Sequence, residues 1–427
     1  MLSTRATTRS LAAVLASAAL GLAGSVQPST AAVAVAPPTA SSVVTAAGED
    51  LTSTIVPRLT TRLRAAGLGA AVSGMVFDDA DGRLVWGTRA SYSRLPASTL
   101  KLVTAYTALR SMGKDTRFAT PTLQDPVYPS IVYLKGVGDP SLTSSGLNRL
   151  AAATATKLLG QGINAVSLKI DDVMFPAPTN ATGWLTSYVP TDVAPVRPLV
   201  YNSRDVADTS IDAGLLFMKS LGAQGIRVRS IARAAAPAGS TTLAFTYSQP
   251  LSAIVGAMLQ VSQNDYAEIL LRDAAAARGR PTTWSGATRN AIDVLVENGI
   301  TTSGLVMYDG SGLSRSDRVR SGTLVGLLSR VLDDPDMSAV FLDPGALPDA
   351  GRTGTLAKRY RTAPTSCAAG IIRAKTGSLA DVVALAGLAY GIDGRTRQFV
   401  FLVNGPKSTS SVIATVDTLA ATATGCM

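Results

Sequence analysis

Arg94-Leu95-Pro96-Ala97-Ser98-Thr99-Leu100-Lys101-Leu102-Val103-Thr104-Ala105 is the stretch from which the fold of this chain can be read. Pro96 precedes Ser98, an apolar periodicity runs on to Met112, and Gly113 closes it. Proline near the start and glycine past the end mark helix boundaries. Ser98 is therefore expected at or just inside a helix N-terminus. Lys101 follows three residues later on the same helix face, with Cβ atoms about 5–6 Å apart. An amine is thereby within reach of the Ser98 hydroxyl.

Two further short motifs follow in chain order: Ser262-Gln263-Asn264, then Lys375-Thr376-Gly377 with Ser378 after it. The chain contains no histidine. Histidine-activated serine or cysteine nucleophiles are excluded, and so are histidine-ligated metals. Lysine is then the natural base for a serine nucleophile. A lysine acts as a base only when neutral, which burial and a second nearby cation both favour. Lys375 is the expected second cation. Ser262 can relay a proton to a leaving amine. Asn264 can bind a peptide carbonyl or orient a lysine. Gly377, on an expected edge strand, lets a substrate backbone come close. The backbone N–H groups of Ser98 and Ser378 are candidates for an oxyanion hole.

Outward from these motifs, the pattern is one of strands and helices around an insert. Ala70 to Phe77 and Arg83 to Thr88 flank Asp78-Asp79-Ala80-Asp81-Gly82, a hairpin signature. A helix is expected over 52–66, another from Asn264 to about Ala277, another over 288–298 and a last one over 408–423. Strands are expected over 371–375, 382–390 and 398–403. Three consecutive strands with flanking helices imply an α+β fold, an antiparallel sheet covered on one face by helices. Residues 121–245 have a different texture, with short apolar runs punctuated by Pro176, Pro178, Pro190, Pro195 and Pro198. That region is expected to be an inserted, mostly-β or α+β domain. It divides the main domain into a first part, 51–120, and a second part, 246–427.

The first 36 residues read as a secretory signal peptide, cleaved at about 31–36, with an uncleaved anchor as the alternative. Residues 37–50 read as a flexible leader. The protein is expected to be exported and extracytoplasmic. Of only two cysteines, Cys367 and Cys426, an even pair in an oxidising compartment predicts one disulfide; two free thiols are the alternative. Net charge is +10; with no run of like charges this reads first as a generally basic, solvated surface, with attraction of an exported chain to anionic wall polymers or lipid head groups, and so peripheral membrane or cell-wall association, as the alternative. With aromatics at 5% and no basic cluster, nucleic acid is not an expected partner.

Taken together, these residues resemble the low-molecular-mass penicillin-binding proteins of the D-alanyl-D-alanine carboxypeptidase/endopeptidase type. The segment 94–105 resembles that family's nucleophile region. Gly136 to Leu142, Asp171-Asp172 with Phe175 and Trp184, Pro195 to Asn202, Ser262 to Glu268, Asp309 to Arg315 and Gly354-Thr355-Leu356 resemble further family stretches. The resemblance implies a transpeptidase domain of the penicillin-binding-protein/β-lactamase type, with a helical subdomain and one inserted domain. It implies that Ser98 is acylated, Lys101 is its base and Ser262 relays protons. It implies that Asn264 binds the substrate amide, while Lys375, Thr376, Gly377 and Ser378 hold the terminal carboxylate. Peptidoglycan stem peptides are the implied substrate and β-lactams covalent inhibitors; no cofactor or metal is implied. Ser378 stands where the family often has threonine, which preserves the hydroxyl. The Asp309 to Arg315 segment reads either as a structural turn near the cleft or as a direct substrate contact. A β-lactamase of the same fold and a catalytically silent wall-binding protein are the alternatives.

Overall fold

The sequence Val382–Tyr390, VVALAGLAY, has no polar side to offer solvent. In the computed structural model, which describes residues 50–427, it is almost wholly buried. The signal peptide and nearly all of the leader lie outside the described residues. The main sheet holds strands β1 (Val72–Asp78), β2 (Arg83–Thr88), β8 (Ile372–Leu379), β9 (Val382–Tyr390) and β10 (Thr396–Asn404), in the order β2-β1-β10-β9-β8. All four pairings are antiparallel. The hairpin read from the sequence is β1–β2.

Helices cover this sheet on both faces, not on one as the sequence suggested. Helices α1 (Thr52–Ala65) and α10 (Ser410–Ala423) lie on the first face, where Ile55, Leu59, Val416 and Leu419 meet Val383, Leu385, Phe399 and Phe401. Ile55, Leu59 and Leu63 recur at helical spacing, so α1 turns one apolar stripe inward. Truncating Leu59 to alanine would cost about 2–5 kcal/mol. The opposite face, with Ala384, Ala386, Val400 and Leu402, packs on a helical layer. That layer holds α2 (Lys101–Met112), α5 (Leu251–Val261), α6 (Asn264–Ala277), α7 (Trp284–Glu297), α8 (Ser321–Asp333) and α9 (Pro335–Phe341). A strand buried on both faces reads as a continuous apolar run rather than an alternation. The missing alternation in β9 carried this information.

The second sheet is built from β3 (Ala119–Gln124), β4 (Ile131–Lys135), β5 (Ala165–Asp171), β6 (Arg227–Arg233) and β7 (Thr241–Tyr247), in the order β6-β5-β4-β3-β7. β4–β5 and β5–β6 are parallel. Parallel neighbours need crossover connections, here α3 (Ser144–Gly160) and α4 (Thr209–Ala223). Thr143 caps α3 by accepting from Gly146 N, and Asp208 caps α4 by accepting from Ile211 N. Both helices pack on one face of the sheet. Neither was legible in the sequence, where prolines and short strands dominated.

The long connection after β5 docks this unit onto the helical layer. Its Phe175, Trp184, Val193, Val196 and Val200 pack against Ile269 of α6 and against Leu313. At the other end, Cys367 and Cys426 form a disulfide with Cα atoms 6.0 Å apart, tying the chain end beyond α10 to the turn before β8.

Candidate active site

Ser98 lies in a single 3₁₀ turn, Ala97–Leu100, that runs directly into α2. Ala97 is buried and left-handed, with φ +46°. Such a conformation costs a non-glycine residue about 1–3 kcal/mol and persists where its surroundings enforce it. Two glycines do so here. A Cβ on Gly312, itself at φ +82°, would lie 1.9 Å from Ala97 O. A Cβ on Gly377 would lie 2.8 Å from Pro96 O and 3.1 Å from Ser98 N. The nucleophile turn is wedged between two backbones that approach only because both lack side chains. The space vacated at Gly377 is therefore filled by the nucleophile turn, not left for a substrate as expected from the sequence.

Lys101, the first residue of α2, has no exposed surface. Its Nζ donates to Ser98 Oγ at 3.0 Å, Asn264 Oδ1 at 2.7 Å and Ser311 O at 2.9 Å. An ammonium has three N–H bonds for these three acceptors. The neutral amine has two, which suffice for Asn264 and Ser311, and its lone pair then faces the Ser98 hydroxyl. Asn264 opens α6, and its Nδ2 donates to Asp192 O at 2.8 Å, which keeps Oδ1 turned to the lysine.

Burial pushes the Lys101 ammonium down to about 8, against the pull of Glu268, Asp309 and Asp265. The sequence reading assigned part of that depression to Lys375. Lys375 is itself fully buried and driven well below the ordinary lysine value, first by burial and then by the Lys101 charge, a repulsion that two neighbouring lysines share. Its Nζ donates to Thr376 O at 2.9 Å.

Lys375 to Ser378 run along β8, at the edge of the main sheet. Earlier on β8, the outer edge is taken: Ala350 N donates to Ile372 O at 2.9 Å and Ala374 N to Pro348 O at 3.0 Å. The two-residue repeat of a strand carries the backbone groups of Thr376 and Ser378 to that same outer edge. Thr376 is half-buried, with its hydroxyl donating to Thr355 Oγ1 at 2.8 Å, and Ser378 is exposed. Ser262 is half-buried and left-handed, φ +64°, at the sharp turn that ends α5 two residues before Asn264.

The Asp309 to Arg315 segment, read from the sequence as either a structural turn near the cleft or a substrate contact, is a largely buried turn. Its Ser311 carbonyl touches Lys101, and Thr104 Oγ1 donates to Gly310 O at 2.6 Å. Asp309 closes the turn by accepting from Gly312 N at 2.8 Å and Ser314 N at 2.7 Å, and it anchors Trp184 Nε1 at 2.7 Å. Two glycines between an aspartate and serines were the available signal; which residue would meet them was not.

The geometry has counterparts in known proteins. A model of the D-Ala-D-Ala carboxypeptidase 3 (S13) family matches residues 57–203 and 189–424. A carboxypeptidase of Mycobacterium tuberculosis is 32% identical over 368 residues, covering 80% of this chain and 78% of its own length. A D-alanyl-D-alanine carboxypeptidase of an Actinomadura species is 26% identical over 453 residues, covering 83% of this chain and 81% of its own. The crystal structure of penicillin binding protein 4 from Haemophilus influenzae superposes with a TM-score of 0.73 at 21% identity, covering 85% of this chain and 97% of that one. That last likeness concerns the fold, including the inserted unit.

Proposed function

This chain belongs to the D-Ala-D-Ala carboxypeptidase 3 (S13) family, and we propose that Ser98 and Lys101 carry out its chemistry. It is a serine-type D-Ala-D-Ala carboxypeptidase, a low-molecular-mass penicillin-binding protein that acts on peptidoglycan. The observation that carries the residue assignment is a fully buried lysine amine 3.0 Å from a serine hydroxyl, in a chain without histidine.

Neutral Lys101 takes the Ser98 proton as Oγ attacks the carbonyl carbon between the two D-alanines. The negative charge forming on the carbonyl oxygen is met by the Ser98 and Ser378 N–H groups, each such donor being worth about 2.7–4 kcal/mol. The C–N bond breaks, and the proton on Lys101 passes to the leaving amine, directly or through Ser262. D-alanine departs and an ester on Ser98 remains. Water, deprotonated by Lys101, then hydrolyses the ester and regenerates both groups. Penicillin follows the first half of this path and stays attached.

The terminal carboxylate of the stem peptide docks at Thr376 and Ser378, whose backbone groups face the outer edge of β8. Lys375 is too deeply buried to meet the carboxylate first. It acts through its field, and an arriving anion favours its charged form. Asn264 serves the substrate amide and the lysine together. The β-lactamase alternative loses its deacylating base: Glu268 is bound to two backbone N–H groups, and Glu297 pairs with Arg278 at 2.6 Å. Export directed by the signal peptide, residues 1–36, and attraction of the basic chain to wall polymers or membrane surfaces complete this reading.

Mass spectrometry of products from defined muropeptides tests it. The wild type releases D-alanine from monomeric pentapeptides, and cleavage of cross-linked dimers would add endopeptidase activity. Release of D-alanine by a folded Ser98→Ala protein overturns the assignment.

A further inference from the structure

Among the buried acids to which the reaction above gives no task, Glu268 stands nearest the base in hydrogen-bond terms. Glu268 lies one turn beyond Asn264 on α6, so the two side chains share a helix face. It has no exposed surface. Oε2 accepts from Gly310 N and Oε1 from Ser311 N, both at 2.8 Å. The carbonyl of that same Ser311 accepts from Lys101 Nζ. Nor can the turn drift away from α6: a Cβ on Gly310 would meet Ala267 O at 2.7 Å and Leu271 Cβ at 3.1 Å. Thr104 holds Gly310 O from the α2 side. One residue thus separates the carboxyl group from the base.

We propose that Glu268 is a positioning residue for acylation: its carboxylate holds the Gly310–Ser311 segment so that the Ser311 carbonyl meets Lys101, and its charge governs how readily Lys101 yields a proton. The proposal rests on the reading of Lys101 as the base. Two backbone donors, one on each oxygen, call for the ionised form, because a protonated acid gives up part of its accepting capacity.

The charges facing Glu268 come from every element around it. Lys101 of α2 is the cation it stabilises, and Glu268 is the foremost of the acids that oppose the effect of burial on that lysine. Asp309, on the turn, repels Glu268 and with burial pushes it up to about 8, while the Ser311 and Gly310 donors hold it down. Asp317, beyond the turn, is driven well up, mainly by burial and Asp309. Arg272 on α6 feels the Glu268 charge as stabilising but is spent on the Trp284 ring, 4.2 Å from its centroid. Asp265, also on α6, is pushed up to about 6 by burial. The Glu268 charge thus favours the protonated form of Lys101, against the effect of burial.

Acylation by a fluorescent penicillin, followed against pH, tests this. Active-site titration counts the competent molecules, and a thermal melt confirms the fold. In Glu268→Gln one of the two backbone donors loses its acceptor and the charge is gone. The expected result is a plateau rate about 10–100-fold lower and an acid limb displaced by about one pH unit toward acid. Glu268→Asp keeps the charge but is too short to span both donors, so its plateau falls while its limb stays near that of the wild type. If Glu268→Gln does not fold, Glu268→Asp decides, and an unchanged plateau overturns the proposal. A Glu268→Gln protein with a lowered plateau and an unmoved limb assigns a structural part only, and also overturns it. A wild-type profile without an acid limb overturns the lysine-base reading and this proposal with it, which distinguishes the two failures.

Discussion

Asn264 Oδ1 lies 2.7 Å from Lys101 Nζ, nearer than Ser98 Oγ at 3.0 Å. The amide read from the sequence with two open roles is a partner of the lysine. Through it the start of α6 is stitched to the start of α2.

Replacing Asn264 with alanine removes one of the three acceptors around a fully buried amine. A buried donor left without its partner costs about 1–3 kcal/mol, and the lysine gains freedom to turn from Ser98. Acylation by a β-lactam, measured by stopped flow, is expected to slow by about 10–100-fold. An unaltered acylation rate would sink the assignment of Asn264 to the lysine.

The pH dependence follows from Lys101. Burial lowers its pKa to about 8, and only the neutral form can take the Ser98 proton. Below that value the base is protonated, so kcat/KM for D-alanine release should fall about tenfold per pH unit as pH drops, and level off above it. Rates measured from pH 6 to 9.5 check this. A profile flat across that range would exclude a lysine base with this pKa.

Lys375 predicts an opposite trend in binding. Burial and the Lys101 charge lower its pKa, and a docked carboxylate raises it again. Binding of a free-carboxylate peptide should take up a proton, so its KM should rise with pH. Lys375→Met should raise KM for that peptide and flatten its pH dependence. Equal KM values for acid and amide peptides in the wild type would remove this role.

Gly377→Ala places a Cβ 2.8 Å from Pro96 O and 3.1 Å from Ser98 N. Overpacking of this kind costs about 1–3 kcal/mol, and here it falls on the backbone that carries the nucleophile. The melting temperature should drop modestly while acylation drops far more, since misplacing a reacting group by about 1 Å costs about a hundredfold. Acylation falling no further than the fraction of folded protein would show that the turn tolerates the displacement.

Much of the main sheet was legible because its signals are local. Asp78 to Gly82 announced a hairpin, and the end strands were bounded by Gly391-Ile392-Asp393-Gly394. The second face of that sheet was missed because burial was judged from flanking helices rather than from the lack of alternation in β9. Helices α3 and α4 were missed because the parallel pairings that require them are long-range. Glu268 was noticed only as part of a family stretch. Its partners, Gly310 and Ser311, stand 42 and 43 residues away.

The sequence by itself determined that a serine and a lysine share a helix start, that no histidine competes for the proton, and that an edge strand carries Lys375 to Ser378. Those are matters of composition, spacing and turn chemistry, which act over a few residues. Only the tertiary structure decided that Lys101 is fully enclosed, with its acceptors at Asn264 and Ser311 lying 163 and 210 positions along the chain. It also decided that Lys375 is fully enclosed and feels the Lys101 charge. A proton's affinity for a site is set by the water excluded from it and by the charges folded around it, and neither is a property of the four residues from Ser98 to Lys101 alone.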